Sequence, residues 1–246
     1  MLRAKQKKRA IKQKPVTQKK GWILVVKIFA ITALFAVGWY GFIYTKPSNS
    51  PIKRVKIVAA YEHLDRQVLQ QVITPYLKGG FFYLNVIGLK RQLLHLPWVY
   101  TASIQRKWPD VVIIHIVEQQ AVLQWGVTSL VNSEGVIFSP PLTTFPDNLP
   151  IIFGPQERVL EIFTVYKQLT SRFKLLELTI RKLFFRPQQY WEILLNNNMV
   201  IYLKEVDPLS QIEFLLILYP KITAKHKYPP KSIDLRYSND GLAVQW

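Results

Sequence analysis

Chemistry in a chain of 246 residues rests on a few side-chain types, and here they are sparse or scattered. Cysteine is absent, which excludes thiol catalysis, disulfide staples, Cys-based zinc sites and iron–sulfur ligation. The four histidines, His63, His95, His115 and His226, stand far apart, and none has H-E-x-x-H or comparable ligand spacing, so solvated or satisfied side chains are expected and no metal site. No G-x-S-x-G elbow, P-loop or dinucleotide fingerprint occurs, and no cofactor is expected. The glycine pair Gly79-Gly80 precedes Phe81-Phe82 instead of a phosphate-binding helix, so it reads as a helix cap and turn. Among the 15 acidic residues, Glu157 and Glu161 form the closest pair at helical spacing, which suits a solvated helix face near an N-terminal dipole. With Glu118 they are the residues on which the alternative function would rest, an exported, membrane-anchored cell-wall hydrolase.

The elements that must position these residues begin with a division of charge. Lys plus Arg outnumber Asp plus Glu by 33 to 15, a net charge of +18, which would ordinarily point to a polyanion or an anionic membrane. Half of that excess lies in residues 1–20, which hold nine basic side chains and no acidic one. From Trp22 to Tyr44, 23 residues are interrupted by one charge, Lys27, and at ~1.5 Å per residue such a helix crosses a bilayer core. Trp22 at one boundary and Trp39, Tyr40 and Tyr44 at the other suit interfacial belts. The apolar run is longer than the h-region of a cleaved signal peptide, and no A-x-A-like site follows it. An uncleaved anchor results, with residues 1–21 a basic cytoplasmic tail, 22–44 the transmembrane helix and the rest exported (a single-pass, type II arrangement). Basic and aromatic residues are scattered over the exported part, so nucleic acid is not expected as a partner.

Residues 45–51 read as a polar tether and residues 52–119 as a β-α-α-β-β unit. In that unit Val55 and Ile57 alternate in a first strand, and Leu64, Val68, Val72 and Tyr76 form a helix stripe with Asp65 as cap and a kink at Pro75. A second helix turns Leu89, Leu93 and Leu96 inward, and strands around 99–108 and Val111–Val117 follow. Residues 120–246 are dominated by strands: 122–125, 130–131 and 136–138 around a Ser133-Glu134-Gly135 turn, then 178–185 and 191–203. Two helices are expected, one opened by Gly154-Pro155 and one over 208–219, and a closing pair, 233–237 and 242–246, folds at Asn239-Asp240-Gly241. The class is α+β: a single transmembrane helix, a β-α-α-β-β unit and a C-terminal antiparallel β domain with two helices, whose last strand nothing in the sequence covers.

Taken in order, Gly79-Gly80-Phe81-Phe82, Leu96-Pro97-Trp98-Val99, Arg106-Lys107-Trp108-Pro109-Asp110, Trp125-Gly126, Leu149-Pro150 with Gly154-Pro155, and Asp234-Leu235-Arg236-Tyr237 with Ala243-Val244 and Trp246 resemble the FtsQ/DivIB family of bacterial cell-division proteins. The resemblance runs from the basic tail to the last strand. It implies a POTRA domain at 52–119 followed by a β domain at 120–246, and an essential, non-enzymatic divisome scaffold that links early and late septal proteins at the inner membrane. It also implies that FtsB, with FtsL, binds by adding a strand to the exposed final strand, while the POTRA domain and membrane segment recruit other divisome proteins. The partner-binding residues so implied are Arg236, Tyr237, Gly241, Leu242, Val244 and Trp246. The chain departs from the family where Gln188-Gln189 replaces a basic pair, where Glu213 replaces an arginine before Phe214, and where the loop before Gly241 is one residue longer.

Overall fold

The computed structural model describes residues 19–44, 50–188, 190–224, 226, 228–237 and 241–246. Most of the basic tail, residues 45–49 of the tether and the Asn239-Asp240 turn therefore lie outside the described residues. Helix α1, Lys19–Tyr44, contains the span Gly21–Gly41, exposed throughout and with a mean hydropathy of 2.1, long and apolar enough to cross a membrane. Its one hydroxyl in mid-span is satisfied internally: Thr32 Oγ1 donates to the carbonyls of Ile28 and Phe29 at 3.0 Å, as a polar group surrounded by apolar side chains requires.

The first sheet has three strands in the order β1-β3-β2, with β1 Arg54–Val58 parallel to β3 Val111–Glu118 and β2 Val99–Lys107 antiparallel to it. Helices α2 Arg66–Leu77 and α4 Val86–Leu94 pack on one face, with the single turn α3 Gly80–Tyr83 between them. The Asp65 carboxylate accepts from the Gln67 N–H at 2.7 Å and starts α2; two residues after Pro75 the helix ends, and Gly80 supplies a φ of 77° where a Cβ would be strained. Leu69, Leu89, Leu93, Val112 and Ile114 are fully buried between helices and sheet. At roughly 2 kcal/mol for each large side chain taken out of water, this stripe pairing holds the small unit together.

The second sheet runs β12-β11-β10-β9-β8-β7-β4-β5-β6. Its strands are β4 Ala121–Trp125, β5 Ser129–Asn132, β6 Ile137–Phe138, β7 Ile151–Phe153, β8 Ile180–Arg186, β9 Tyr190–Leu195, β10 Val200–Lys204, β11 Ser232–Asp234 and β12 Ala243–Gln245. Helices α5 Val159–Phe173 and α6 Pro208–Thr223 pack on each other and on one face, where Ile152, Leu183, Ile193, Ile201 and Ile233 form a register line that is fully buried.

In the second sheet three features differ from the sequence reading. The C-terminal sheet is mixed, not wholly antiparallel: β4–β7, β7–β8 and β10–β11 are parallel. For β7–β8 and β10–β11 the cause is that α5 and α6 are crossover helices, each returning the chain to the end at which its preceding strand began, so the next strand runs the same way; β7 comes to lie parallel to β4 after the segment 139–150 that follows β6. The expected single strand 191–203 is a hairpin, β9–β10, folded at Asn196-Asn197-Asn198. Asn198 adopts φ 64° and Asn197 Oδ1 accepts the Met199 N–H at 3.1 Å, the left-handed and self-bonded conformations that favour asparagine over a continuing strand. Finally, Ile151–Phe153 is an additional strand in the middle of the sheet.

The two sheets are joined through a closed contact. Leu130 and Phe138 of the second sheet pack into the core of the first. Trp98, 3% exposed, donates its indole N–H to Thr144 Oγ1 at 2.8 Å and meets Phe138 edge-on at 5.2 Å. Asn132 donates to the Gln119 side chain at 2.9 Å.

Candidate functional site

Two of the three carboxylates considered as acid and base, Glu118 and Glu161, are occupied structurally. Glu118 is buried and accepts the backbone N–H groups of Glu62 and His63 at 3.1 and 2.9 Å, anchoring the turn before α2 to the end of β3. Glu161 pairs with Arg158, which also bonds Glu205 at 2.8 Å. The Arg158 hydrogen bonds hold the Glu161 carboxyl below the usual carboxylate range. Glu157 is exposed in the turn of 3₁₀ helix before α5. His63 stacks on Trp98 at 3.9 Å and lies within the junction between the sheets. These three glutamates thus sit at separate structural positions and share no cleft that the structure describes.

The six residues expected to bind a partner come together at one edge of the second sheet. Strand β12 pairs with β11 in the register Ser232↔Gln245, Ile233↔Val244 and Asp234↔Ala243, and no strand lies on its other side among the described residues. That register decides the faces. Val244 stands beside the fully buried Ile233 and is half-buried on the helix side, while Ala243 and Gln245 are exposed on the other. Leu242, also half-buried, packs against the core. Tyr237 is 55% exposed, and with Gly241 it lines a groove of about 230 Å³ that is completed by Lys204, Val206, Gln211 and Phe214 at the start of α6. Trp246 is 38% exposed, stacks on His226 at 3.4 Å, and its backbone oxygen accepts a hydrogen bond from Lys231 Nζ at 2.7 Å. It lies at the rim of the sheet and outside the core.

Arg236 is oriented from two sides. Its guanidinium bonds both carboxylate oxygens of Asp234, at 2.9 and 2.7 Å, and lies 4.7 and 5.0 Å from the ring centres of Tyr190 and Tyr202. The Arg236 hydrogen bond holds the Asp234 carboxyl below the usual range, and the same bond raises the guanidinium. A bidentate ion pair over two aromatic faces keeps a long side chain in one rotamer while leaving it 40% exposed, so the entropy of presenting a cation to a partner is largely spent before contact.

Sequence reasoning missed Tyr190 and Tyr202. They are cross-strand neighbours, rings 5.9 Å apart, only because the chain turns back at the three asparagines. They continue, with Phe153 and Phe184 stacked at 4.6 Å, along the face without helices. Of the departures from the family pattern, Glu213 accepts from Arg172 at 2.9 Å and joins α5 to α6; Gln188 has a φ of 60° in the turn before β9, and Gln189 lies outside the described residues.

Comparison with known proteins matches both sheets to one family. Residues 50–119 match the model described as "POTRA domain, FtsQ-type" and residues 121–236 that of "Cell division protein FtsQ/DivIB, C-terminal". Arg236 is thus the last residue matched, and the other five of the edge lie beyond it. Cell division protein FtsQ of Coxiella burnetii is 34% identical over 203 residues, covering 81% of this chain and 82% of that protein. Its counterpart in Shewanella oneidensis is 31% identical over 199 residues, 81% of this chain and 75% of that protein. For Escherichia coli the values are 25% over 229 residues, 89% and 83%.

Proposed function

The chain belongs to the FtsQ/DivIB family of cell-division proteins, and on that premise we propose that it is a single-pass inner-membrane scaffold of the division septum that links early and late septal proteins. In this reading the basic tail, residues 1–21, stays in the cytoplasm, α1 anchors the chain, and the domains at 52–119 and 120–246 are exported. FtsB, together with FtsL, docks on the second of these by adding a strand to β12, while the first domain and the membrane segment recruit other divisome proteins.

The observation that carries this reading is the edge of β12, which among the described residues is paired on one side only and continues a nine-stranded sheet. Such an edge offers main-chain donors and acceptors for β-augmentation, and the side chains around it supply selectivity. The local chemistry suits that role: Tyr237, Trp246 and Arg236 are the residue types that most often dominate interface energies, and all three are exposed beside the strand. Register matters as well, because a slip of one residue in the added strand would turn its apolar side chains away from the half-buried line that Val244 begins.

Deleting residues 242–246 from the full-length chain should abolish co-purification with FtsB. As a companion that leaves the strand in place, Tyr237→Ala should weaken capture with thermal unfolding unchanged. FtsB capture retained by the deletion would rule out strand addition.

A further inference from the structure

We propose that the free end of the first sheet docks on anionic phospholipid headgroups of the same membrane that α1 spans. The inference rests on the reading of α1 as a membrane anchor. Its first support is distance along the chain. Six residue steps separate Tyr44, the last of α1, from Ser50, and at ~3.5 Å per step the gap is at most about 21 Å. Ser50 is then fixed to α3, its carbonyl accepting the Phe81 N–H at 3.0 Å, and three residues on Lys53 bonds the Asp110 carbonyl beside the start of β3. The part of the sheet near Ser50 cannot leave the vicinity of the bilayer.

That part is the end remote from the second sheet. The start of β2 and the end of β3, paired as Val99↔Glu118, adjoin the Trp98 and Gln119 contacts to the second sheet. The other end is marked by Lys107↔Val111 and Arg54↔Val111, with Lys53 and Arg54 donating backbone N–H to the Asp110 carbonyl. The nine residues of β2 separate the two ends by roughly 26 Å at ~3.3 Å per residue. A sheet held this way faces the membrane with one end and the partner-docking sheet with the other.

The chemistry of the near end fits a headgroup layer. Lys53, Arg54, Lys56 and Lys107 surround an open groove of about 680 Å³ with Trp108 on its wall. Asp110 lies 3.6 Å from Lys53 Nζ, and among the described residues no carboxylate pairs with Arg54, Lys56 or Lys107. Trp108 is 75% exposed. Phe82 and Tyr83, also exposed, follow Phe81 in α3, and Arg106 is tied to them through a 3.2 Å bond to the Phe82 carbonyl. Large aromatic rings left in water beside a run of cations are unfavourable for a free domain; at a bilayer interface the rings sit among headgroups and the cations meet anionic lipid.

The absence of cysteine makes the test direct, since one introduced thiol reports one place. The full-length chain carrying Tyr83→Cys, labelled with a fluorophore, is reconstituted into nanodiscs containing phosphatidylglycerol and a headgroup quencher lipid, with an acyl-chain quencher lipid used for a label in mid-span. Leu34→Cys in α1 and Leu175→Cys in the second sheet region serve as references. The Tyr83 label should be quenched well above the Leu175 label, and neutralising Arg54 and Lys107 together (Arg54→Gln, Lys107→Gln) should weaken docking about 30-fold. A Tyr83 label no more quenched than that at 175, while the Leu34 label is quenched, overturns the docking but leaves the anchor. Shielding of the Tyr83 label only when other divisome proteins are added overturns it in favour of a protein partner. An unquenched Leu34 label refutes the anchor reading, and the docking proposal with it.

Discussion

At one end of the nine-stranded sheet, β6 is two residues long and its Phe138 is buried against Trp98 of the first sheet; at the other, β12 is three residues long with Trp246 and Tyr237 exposed beside it. Both edges are short and both carry large aromatic side chains. The difference lies in what meets them. The segment after β6 is tied down, Thr144 accepting the Trp98 indole N–H and Ser139 pairing with Ser129 of β5 at 2.8 Å, whereas no strand among the described residues pairs with the free side of β12. Among the described residues the chain meets one edge with its own side chains and not the other, and sheet edges that are neither covered nor charged are the ones available to another chain. Tryptophan is used in two ways accordingly, as a wedge that fixes two sheets and as a ring kept at the rim.

The largest expected effect breaks the closed side. Trp98→Ala removes a 3% exposed indole, its bond to Thr144 and its contact with Phe138, so unfolding free energy should fall by about 3–5 kcal/mol. Urea titration of the full chain checks this. Loss of FtsB capture should follow only to the extent that the chain unfolds, because the residue is at the opposite edge from β12.

On the open side the pattern should reverse. Tyr237→Ala should change unfolding free energy by roughly 0.5 kcal/mol or less, as exposed substitutions do, and Trp246→Ala, which also removes the stack on His226, by about 1 kcal/mol. Each should weaken FtsB binding by about 2 kcal/mol, roughly 30-fold in Kd, if these rings act as interface anchors. Calorimetric titration set against urea titration separates the two effects, and equal losses in both would erase the distinction between the edges.

Much of this architecture is legible in the residues. The stripe of α5, the Asp65 cap and the Ser133-Glu134-Gly135 turn follow from periodicity and local hydrogen bonding, and the structure has each of them; Asn132 Oδ1, for instance, accepts the Glu134 and Val136 N–H groups to close that turn. The expected α2 stripe is displaced by one residue: Leu69 and Ile73 are its buried positions, Val72 and Tyr76 are half-buried and Val68 is exposed. What is not legible depends on partners remote in sequence. The strand Ile151–Phe153, three residues between Pro150 and Gly154, is too short to show a period, and its place between β4 and β8 comes from the crossover through α5. The three asparagines at 196–198 gave local warning of a turn, but the apolar residues on either side read as one continuous strand. That misreading hid the edge's geometry more than its residues. Arg236 was found by resemblance, while Tyr190 and Tyr202, which hold it, become neighbours only in the folded hairpin. The covering of β6 by the first sheet has no sequence signature either, because Trp98 and Phe138 carry no mark of each other.

The smallest effect concerns how Arg236 is presented. Its bond to Asp234 lowers the carboxyl's folded-state pKa below the unfolded value of about 3.9. A lowered pKa means that the unfolded chain takes up the proton first, so the pair's contribution is complete above that value and is lost as pH falls through the folded pKa. With Arg236 40% exposed, solvent screening keeps the contribution under ~1 kcal/mol. Asp234→Asn should therefore be slightly less stable than the unaltered chain at pH 7 in urea titrations, and the gap should close on acidification below about pH 4. Binding sharpens the same point. Without the carboxylate, Arg236 keeps its place over Tyr190 and Tyr202 through cation–π contact alone, so Asp234→Asn should weaken FtsB less than Arg236→Ala does. Equal losses would mean that the ion pair, and not the aromatic pair beneath it, sets the guanidinium's position at the open edge.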